Sequence, residues 1–366
     1  MINRITIENF KCFKKASFDL GNLNVLSGLN GTGKSTMIQS LLLPIQTCRQ
    51  KMLNEALVLN GDLVKIGNGS DLLCEYADYK KVQMAFRYND NEEITFSYDY
   101  KNNSSFLPVE KLDGDLESFN SVLDNIQYIN ALRIVPQSVY PKSDYTVLSK
   151  RQIGNSGEFS IQYLSAFAAD EITNKSVLLN HIPEKFLKNQ LVGWFDKIVP
   201  NTQLDFKEHD NTELISLKYR FRISDTDVSN YYRPTNVGFG LTYTLPVILA
   251  LLKASKNDIV IIENPEAHLH PAGQRKMGEL ISLASAGGVQ VIVETHSDHV
   301  LNGIRLSVKR EMIEPSEVKI LFFDRTVEGN EAKHLVHTPE IFTDGRLSFW
   351  PEGFFDEWDK AVEELF

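Results

Sequence analysis

An α/β fold, with a mostly parallel sheet, an antiparallel β lobe and a helical insertion, is what this 366-residue sequence predicts. Three observations carry the prediction. Glycine-rich residues 28–36 lie between a short apolar run and a helical run. Two buried-strand patterns, 259–262 and 289–294, flank a helical pattern at 273–285, and strands that alternate with helices pair in parallel. Clean two-residue alternation at 81–88 and 93–98, and again at 202–206 and 213–223, marks antiparallel hairpins.

The stretch Gly28-Leu-Asn30-Gly31-Thr32-Gly33-Lys34-Ser35-Thr36 fits the pattern of Gly, four residues, Gly-Lys-Ser/Thr. Each residue type has a physical reason to be there. The glycines let successive backbone N–H groups turn into one concavity that suits an anion. Lys34 reaches the β- and γ-phosphates, and the Ser35 hydroxyl ligates Mg²⁺. Residues 23–27 read as a buried strand and 35–43 as a helix ended by Pro44, which puts the loop at a helix N-terminus. Asn30 to Thr36 are therefore the candidate contacts to a nucleoside triphosphate, and the fold is that of a P-loop NTPase.

Along the chain, residues 1–27 form a small β unit in which Ile2, Ile5, Ile7, Phe10 and Phe13 are inward-facing and 16–20 can pair back. The hairpin of 81–88 and 93–98 turns at Asn89-Asp90-Asn91, 102–115 reads as a polar loop, and 126–133 returns as a buried strand. Helical spacing between 159 and 195, broken at Pro183, marks a small helical subdomain, and the next hairpin turns at His209-Asp210-Asn211-Thr212. An apolar helix at 240–253 contains Pro246, and 318–323 is the last core strand. The expectation is one domain over 1–366, with an N-terminal lobe (1–150), a helical insertion (150–205) and a second lobe (206–366).

Composition narrows the function classes. With 42% hydrophobic and 23% charged residues the chain is of ordinary soluble type. A formal charge of −10 argues against sequence-independent DNA binding over the whole surface, which requires neutralising phosphates. Cys12, Cys48 and Cys74 have no metal-like spacing and read as reduced thiols, which points to the cytoplasm. Met1 leads straight into a strand pattern with no signal peptide expected. The longest apolar stretch, 245–252, is too short to span a bilayer, so no membrane role is expected.

A second constellation follows. The apolar segment 259–262 ends in Glu263-Asn264-Pro265-Glu266, and an acid at the end of such a strand is where a P-loop ATPase holds Mg²⁺. One strand later come Glu294-Thr295-His296-Ser297, and a His just past a buried strand can contact a γ-phosphate or orient the attacking water. His268, His270, His296 and His299 could be combined on paper as a metal cluster, but they belong to two different strand ends. Arg133 either faces the nucleotide or sits inside as an ion-pair partner.

The phosphate loop, the Glu-x-Pro-Glu strand end, His268-Leu-His270-Pro271 and Glu294-Thr-His296-Ser297, in this order, resemble the ABC-type ATPases of the RecF, SMC and OLD (overcoming-lysogenization-defect) group. More narrowly, Val237-Gly238-Phe-Gly240-Leu and Trp350-Pro-Glu-Gly-Phe-Phe-Asp356 resemble a bacterial subgroup of stand-alone ATPases. The resemblance implies an ABC-type head that binds ATP and Mg²⁺ and forms a homodimer, with two protomers packed head to tail around two ATPs. Gly238 and Gly240 would then contact the partner's γ-phosphate as a signature motif. The usual serine of that motif is missing, and Thr242 is one possible replacement. It also implies that Glu263 binds the metal. In the family pattern a second acid follows directly as catalytic base, but here that position is Asn264, which accepts no proton at neutral pH. Either Glu266 serves as base, or hydrolysis is slow and the protein is an ATP-held switch. The adenine contact falls to Asn9, Lys11 or Phe13. No heptad arms and no downstream nuclease region are expected, so the output would belong to a separate effector such as a nuclease, in antiphage defence. The competing expectation is a RecF-like protein that binds DNA in repair.

Overall fold

The computed structural model describes residues 1–366 except Asp90, Asp210, Asn211, Asp225, Asn330 and Phe366, and it leaves out the side chains of Glu328, Glu357, Trp358 and Asp359. Parts of both predicted turns, at Asp90 and at Asp210-Asn211, therefore lie outside the described residues. The chain divides into two compact units. One comprises Met1–Ile126, Val318–Glu340 and Ser348–Phe366, and the other Gln127–Glu317 and Ile341–Leu347.

The first unit begins with β1 (Ile2–Phe10), β2 (Phe13–Asp19), β3 (Leu23–Gly28) and α1 (Lys34–Arg49). Next come β4 (Ala56–Val58), α2 (Gly69–Leu72), β5 (Lys81–Tyr88), β6 (Glu92–Asp99), β7 (Phe106–Asp113) and α3 (Leu116–Asp124). Six strands form an antiparallel sheet in the order β2-β1-β5-β6-β7-β4. Alternation places Val82, Met84, Phe86 and Tyr88 of β5 on one buried face, where Phe86 and Tyr88 pack against Phe119 of α3.

Two expectations need correction here. The helix after the phosphate loop does not stop at Pro44 but runs to Arg49, with Pro44 inside it. Proline removes one N–H, which leaves the Ser40 carbonyl without its helical donor, at a cost of about 3 kcal/mol. Burial of Met37, Ile38, Leu41, Leu42, Leu43 and Ile45 outweighs that cost. The polar stretch 102–115 is not all loop: β7 pairs with both β6 and β4. Glu110 and Lys111 are exposed while Leu107 is fully buried, and that exposed polar stretch hid the strand.

The second unit carries β8 (Ile126–Ile129), β9 (Tyr140–Pro141), α4 (Ser160–Ala166), α5 (Leu187–Ile198), β10 (Thr202–Glu208) and β11 (Leu214–Phe221). It continues with α6 (Phe239–Lys253), β12 (Ile259–Glu263), α7 (Pro271–Ala286), β13 (Gln290–Glu294) and α8 (Asp298–Lys309). The strand expected over 126–133 is shorter, because the chain leaves the sheet after Ile129. β12 and β13 pair in parallel, Ile259 opposite Gln290 through Glu263 opposite Glu294, and β8 lies beside β12. That register brings both strands to an acidic C-terminal end at the same level. β10, β11 and β9 form a separate antiparallel sheet. The helical region holds together through buried polar groups with every atom engaged. Gln190 accepts from Leu179 N and donates to the carbonyls of Ile182 and Glu184, and Trp194 donates from Nε1 to Val177 O at 2.7 Å.

The first unit closes with β14 (Val318–Glu328), β15 (Glu331–His337) and α9 (Glu357–Leu365). β14 runs parallel to β3, with Val318 opposite Leu23 and Phe323 opposite Gly28. The last core strand is thus longer than 318–323 and turns back into β15, whose polar outward residues concealed it. The Trp350 to Asp356 motif packs against this hairpin, Phe354 being fully buried with its ring 5.2 Å from that of Phe322.

Trp194→Ala should cost about 3–5 kcal/mol, from the cavity and the orphaned Val177 carbonyl. Urea unfolding followed by circular dichroism should show an earlier midpoint, with Trp194→Phe falling between the variant and the parent.

Candidate functional site

In the first unit, β3 ends at Gly28 and α1 opens at Lys34, so the phosphate loop caps a 16-residue helix. Gly28 has φ +134°, and a Cβ there would stand 2.1 Å from the Phe323 carbonyl oxygen. Gly33, the α1 N-cap at φ +119°, lies over the Phe13 ring, which a Cβ would meet at 2.6 Å. Both positions require glycine. Side chains engage the loop carbonyls of Gly28, Leu29 and Thr32. The Lys34 ammonium, 4% exposed, donates to Gly28 O at 2.7 Å and Leu29 O at 2.8 Å. The Thr32 hydroxyl donates to Leu29 O at 2.7 Å, and His334 of β15 meets Thr32 O through Nδ1 at 2.9 Å. Asn30, Gly31 and Ser35 are exposed, whereas Thr36 is buried and its hydroxyl accepts from the Cys12 thiol at 3.5 Å.

The residues named for adenine have other engagements. Asn9 donates its amide to Tyr79 O and Lys81 O, and Lys11 donates to Gln39 Oε1 at 2.8 Å. Phe13 is buried among Phe18, Phe323 and His334.

In the second unit, the end of β12 is held by residues just past β8. Glu263 accepts at Oε1 from the Tyr128 hydroxyl (2.9 Å) and at Oε2 from Ala131 N (3.1 Å). Burial pushes the Tyr128 phenol up, and the Glu263 charge adds to the shift, so the hydroxyl stays a donor. Arg133, 3% exposed, donates to Asn264 O at 3.0 Å and also to Glu263 O. Arg133 therefore sits inside, but it bonds to carbonyls rather than to the carboxylate that the expected ion pair would require. Burial lowers its guanidinium to about 10, partly offset by Glu266 and Glu263.

Asn264 sits at φ 46°, a left-handed conformation that Asn tolerates better than most residues, and its N–H donates to Glu294 O at 2.8 Å. Glu266 crosses to the end of β13. Its Oε2 accepts from the Thr295 hydroxyl and its Oε1 from His296 N, both at 2.8 Å. His296 is exposed at the start of the turn into α8, which Ser297 caps by accepting from Val300 N. Glu263, Asn264, Glu266 and His296 are thus brought together at the ends of two paired strands.

Gly238 and Gly240 stand at the exposed N-terminus of α6, with Gly238 as N-cap. A Cβ on Gly240 would lie 2.5 Å from His268 O, while one on Gly238 would meet nothing within 4 Å. Phe239 and Tyr243 pack against the His268 ring at 5.6 and 4.9 Å. Thr242 is 2% exposed and points inward, away from the signature surface. Among the described residues no three His, Cys, Asp or Glu side chains are grouped to hold a metal ion, and no helix is long and apolar enough to cross a membrane.

Sequence reasoning missed Tyr128, Ala131 N and His334. The first two lie in the expected strand 126–133, but nothing in its spacing shows which carboxylate they hold. His334 is 302 residues from its partner, a distance no local pattern bridges.

With the geometry in place, comparison with known proteins gives the family. A family model described as "AAA domain, putative AbiEii toxin, Type IV TA system" matches residues 23–302, and one described as a protein of unknown function (DUF3696) matches 313–365. No curated protein matches at the sequence level. Among solved structures, an SMC head bound to the C-terminal winged-helix domain of ScpA is 16% identical, with a TM-score of 0.52 over 92% of this chain and 97% of that one. A Pyrococcus furiosus SMC head with an extended coiled coil is 14% identical, with a TM-score of 0.48 over 100% of this chain and 99% of that one. The Thermotoga maritima SMC head is 13% identical, with a TM-score of 0.43 over 92% and 98%. The SMC head likeness at 0.52 is one of fold, and it agrees with an ABC-type head. The chain belongs to the AAA-domain family whose model covers 23–302, and its fold is like that of an SMC head.

Proposed function

We propose that this protein is an ATP-held switch. It binds ATP with Mg²⁺, hydrolyses it slowly, closes head to tail on a second copy, and gates a separate effector. Lys34 and the amides of 31–36 take the phosphates, Ser35 and Glu263 the Mg²⁺, and His296 the γ-phosphate. Gly238 and Gly240 meet the ATP of the partner. On this reading the whole chain acts as one cytoplasmic ATPase domain, with the helical region 150–205 as its docking insertion.

The observation that carries the slow-hydrolysis reading is the engagement of Glu266. Asn264 stands where the family pattern has its base, and the other acid in reach has each oxygen occupied by a donor of the Thr295-His296 turn. That arrangement suits a residue that positions His296 better than one that takes a proton from water. Gly238 supports the dimer. Among the described residues nothing lies within 4 Å of where a Gly238 Cβ would stand, so its backbone at the α6 N-terminus is open to a close approach from outside. The precedent of an SMC head bound to a domain of another protein supports the separate effector. A toxin–antitoxin setting in the family description is in keeping with antiphage defence. The charge of −10 counts against the RecF-like DNA-binding alternative.

Light scattering should show the mass doubling on addition of ATP and Mg²⁺. Gly238→Ala should fold as the parent does and lose the doubling. Gly240→Ala should lower the melting temperature, because its methyl collides with His268 O. An unchanged mass in the parent would sink the switch. Asn264→Asp restores an acid that tolerates the left-handed backbone, and it should raise kcat at least about tenfold in a steady-state phosphate-release assay. A variant no faster than the parent would mean that Asn264 is not what limits the rate.

A further inference from the structure

His334 makes a contact with the phosphate loop that the proposed chemistry leaves unused. It lies on β15, outside every nucleotide-binding motif, and its Nδ1 is 2.9 Å from the carbonyl oxygen of Thr32 in the phosphate loop. A carbonyl only accepts, so Nδ1 carries the proton in this contact. The imidazole is half-buried and packs edge-on against Phe13, with ring centroids 5.7 Å apart. Phe13 in turn lies directly beneath Gly33.

We propose that His334 is a positioning residue for nucleotide binding: by holding the Thr32 carbonyl it fixes the Thr32–Gly33 peptide plane and so aims the Gly33 N–H into the phosphate nest. In a planar trans peptide the C=O and the following N–H point in opposite directions, so a donor that captures Thr32 O sends Gly33 N–H the other way. This peptide needs such a restraint. Gly33 has no Cβ and occupies φ +119°, where rotation of the preceding peptide meets little steric resistance. At the start of the loop the Gly28 and Leu29 carbonyls have donors from within the loop, Lys34 on both and Thr32 Oγ1 on Leu29 O. Thr32 O is the member of the set that depends on a side chain from a distant strand. With it held, carbonyls are turned out of the nest and amides are left to meet an anion.

The inference rests on the ATP-binding reading, so its test has one arm that needs no nucleotide. In His334→Ala without nucleotide, hydrogen–deuterium exchange of the 28–36 segment should be several-fold faster than in the parent. His334→Asn, whose amide can donate from nearly the place of Nδ1, should restore the parent rate. With nucleotide, the Ala variant should bind a fluorescent ATP analogue and the matching ADP analogue about three- to tenfold more weakly, the effect of one peptide hydrogen bond. KM should rise while kcat stays within twofold, and the Asn variant should recover most of the affinity. Parent-like exchange in His334→Ala, or equal losses in the Ala and Asn variants, would overturn the proposal. Faster exchange with unchanged affinity would overturn its role in binding. A parent that exchanges as expected yet binds no ATP would instead refute the ATP reading and confine His334 to loop structure.

Discussion

Phe323 O stands where a side chain on Gly28 would have to be, and the path of the phosphate loop is set by that contact. β3 can approach β14 so closely only because the residue at its end has no Cβ. Once Gly28 is fixed, the chain must turn and enter α1 within a few residues, and Gly33 completes the turn over Phe13. The rest of the first unit serves this constraint. The hairpin of β14 and β15 supplies Phe323 to one end of the loop and His334 to its middle. The C-terminal aromatic motif then braces that hairpin through Phe354 on Phe322. A motif at residues 350–356 and a loop at 28–36 are thus parts of one mechanical assembly, which explains why a chain segment so far from the loop in sequence packs so tightly near it.

The second unit solves a related problem with charge rather than with glycine. Two parallel strands end in acids at the same register, Glu263 opposite Glu294, and each turn beyond them must keep its polar groups satisfied. Arg133 covers the carbonyls of Glu263 and Asn264, and Glu266 receives the Thr295 hydroxyl and His296 N–H. The buried guanidinium is tolerable because it is bonded to two carbonyls and lies near two carboxylates. In consequence, the backbone of one turn is fixed by side chains of its neighbours. A substitution at Arg133 or Glu266 would act on the position of Glu263 or His296 without touching either side chain directly.

What the sequence could disclose divides along the same physical line. The phosphate loop, β12, β13 and the hairpin of β5 and β6 were legible because the local chain alone determines them, through motif spacing or through period-two and fully apolar runs. Pro44 misled because a local rule predicts a stop, whereas the buried apolar face of α1 is a tertiary fact. β7 and β15 were missed because strands with one polar face look like loops when their pairing partner is unknown. In the candidate site, the identity of the acids and of His296 was readable, but not their restraints. Tyr128 and Ala131 find Glu263 across more than 130 positions, and His334 finds Thr32 across 302. Such contacts leave no periodicity behind.

Asn264 is where the backbone and the chemistry give different reasons for one residue. A left-handed turn at φ 46° accounts for Asn, since its short amide tolerates that region at little cost. Asp tolerates it too, so the turn alone does not explain why an acid is missing. The difference between the two residues is a negative charge beside Glu263 and Glu266, in a turn whose buried cation is Arg133. Adding a third carboxylate would raise the repulsion among acids there, and the neutral amide avoids it. On the proposed reading, the same neutrality would leave that position without a group to take a proton from water, so one residue would both ease the crowding of acids and favour holding ATP over turning it over.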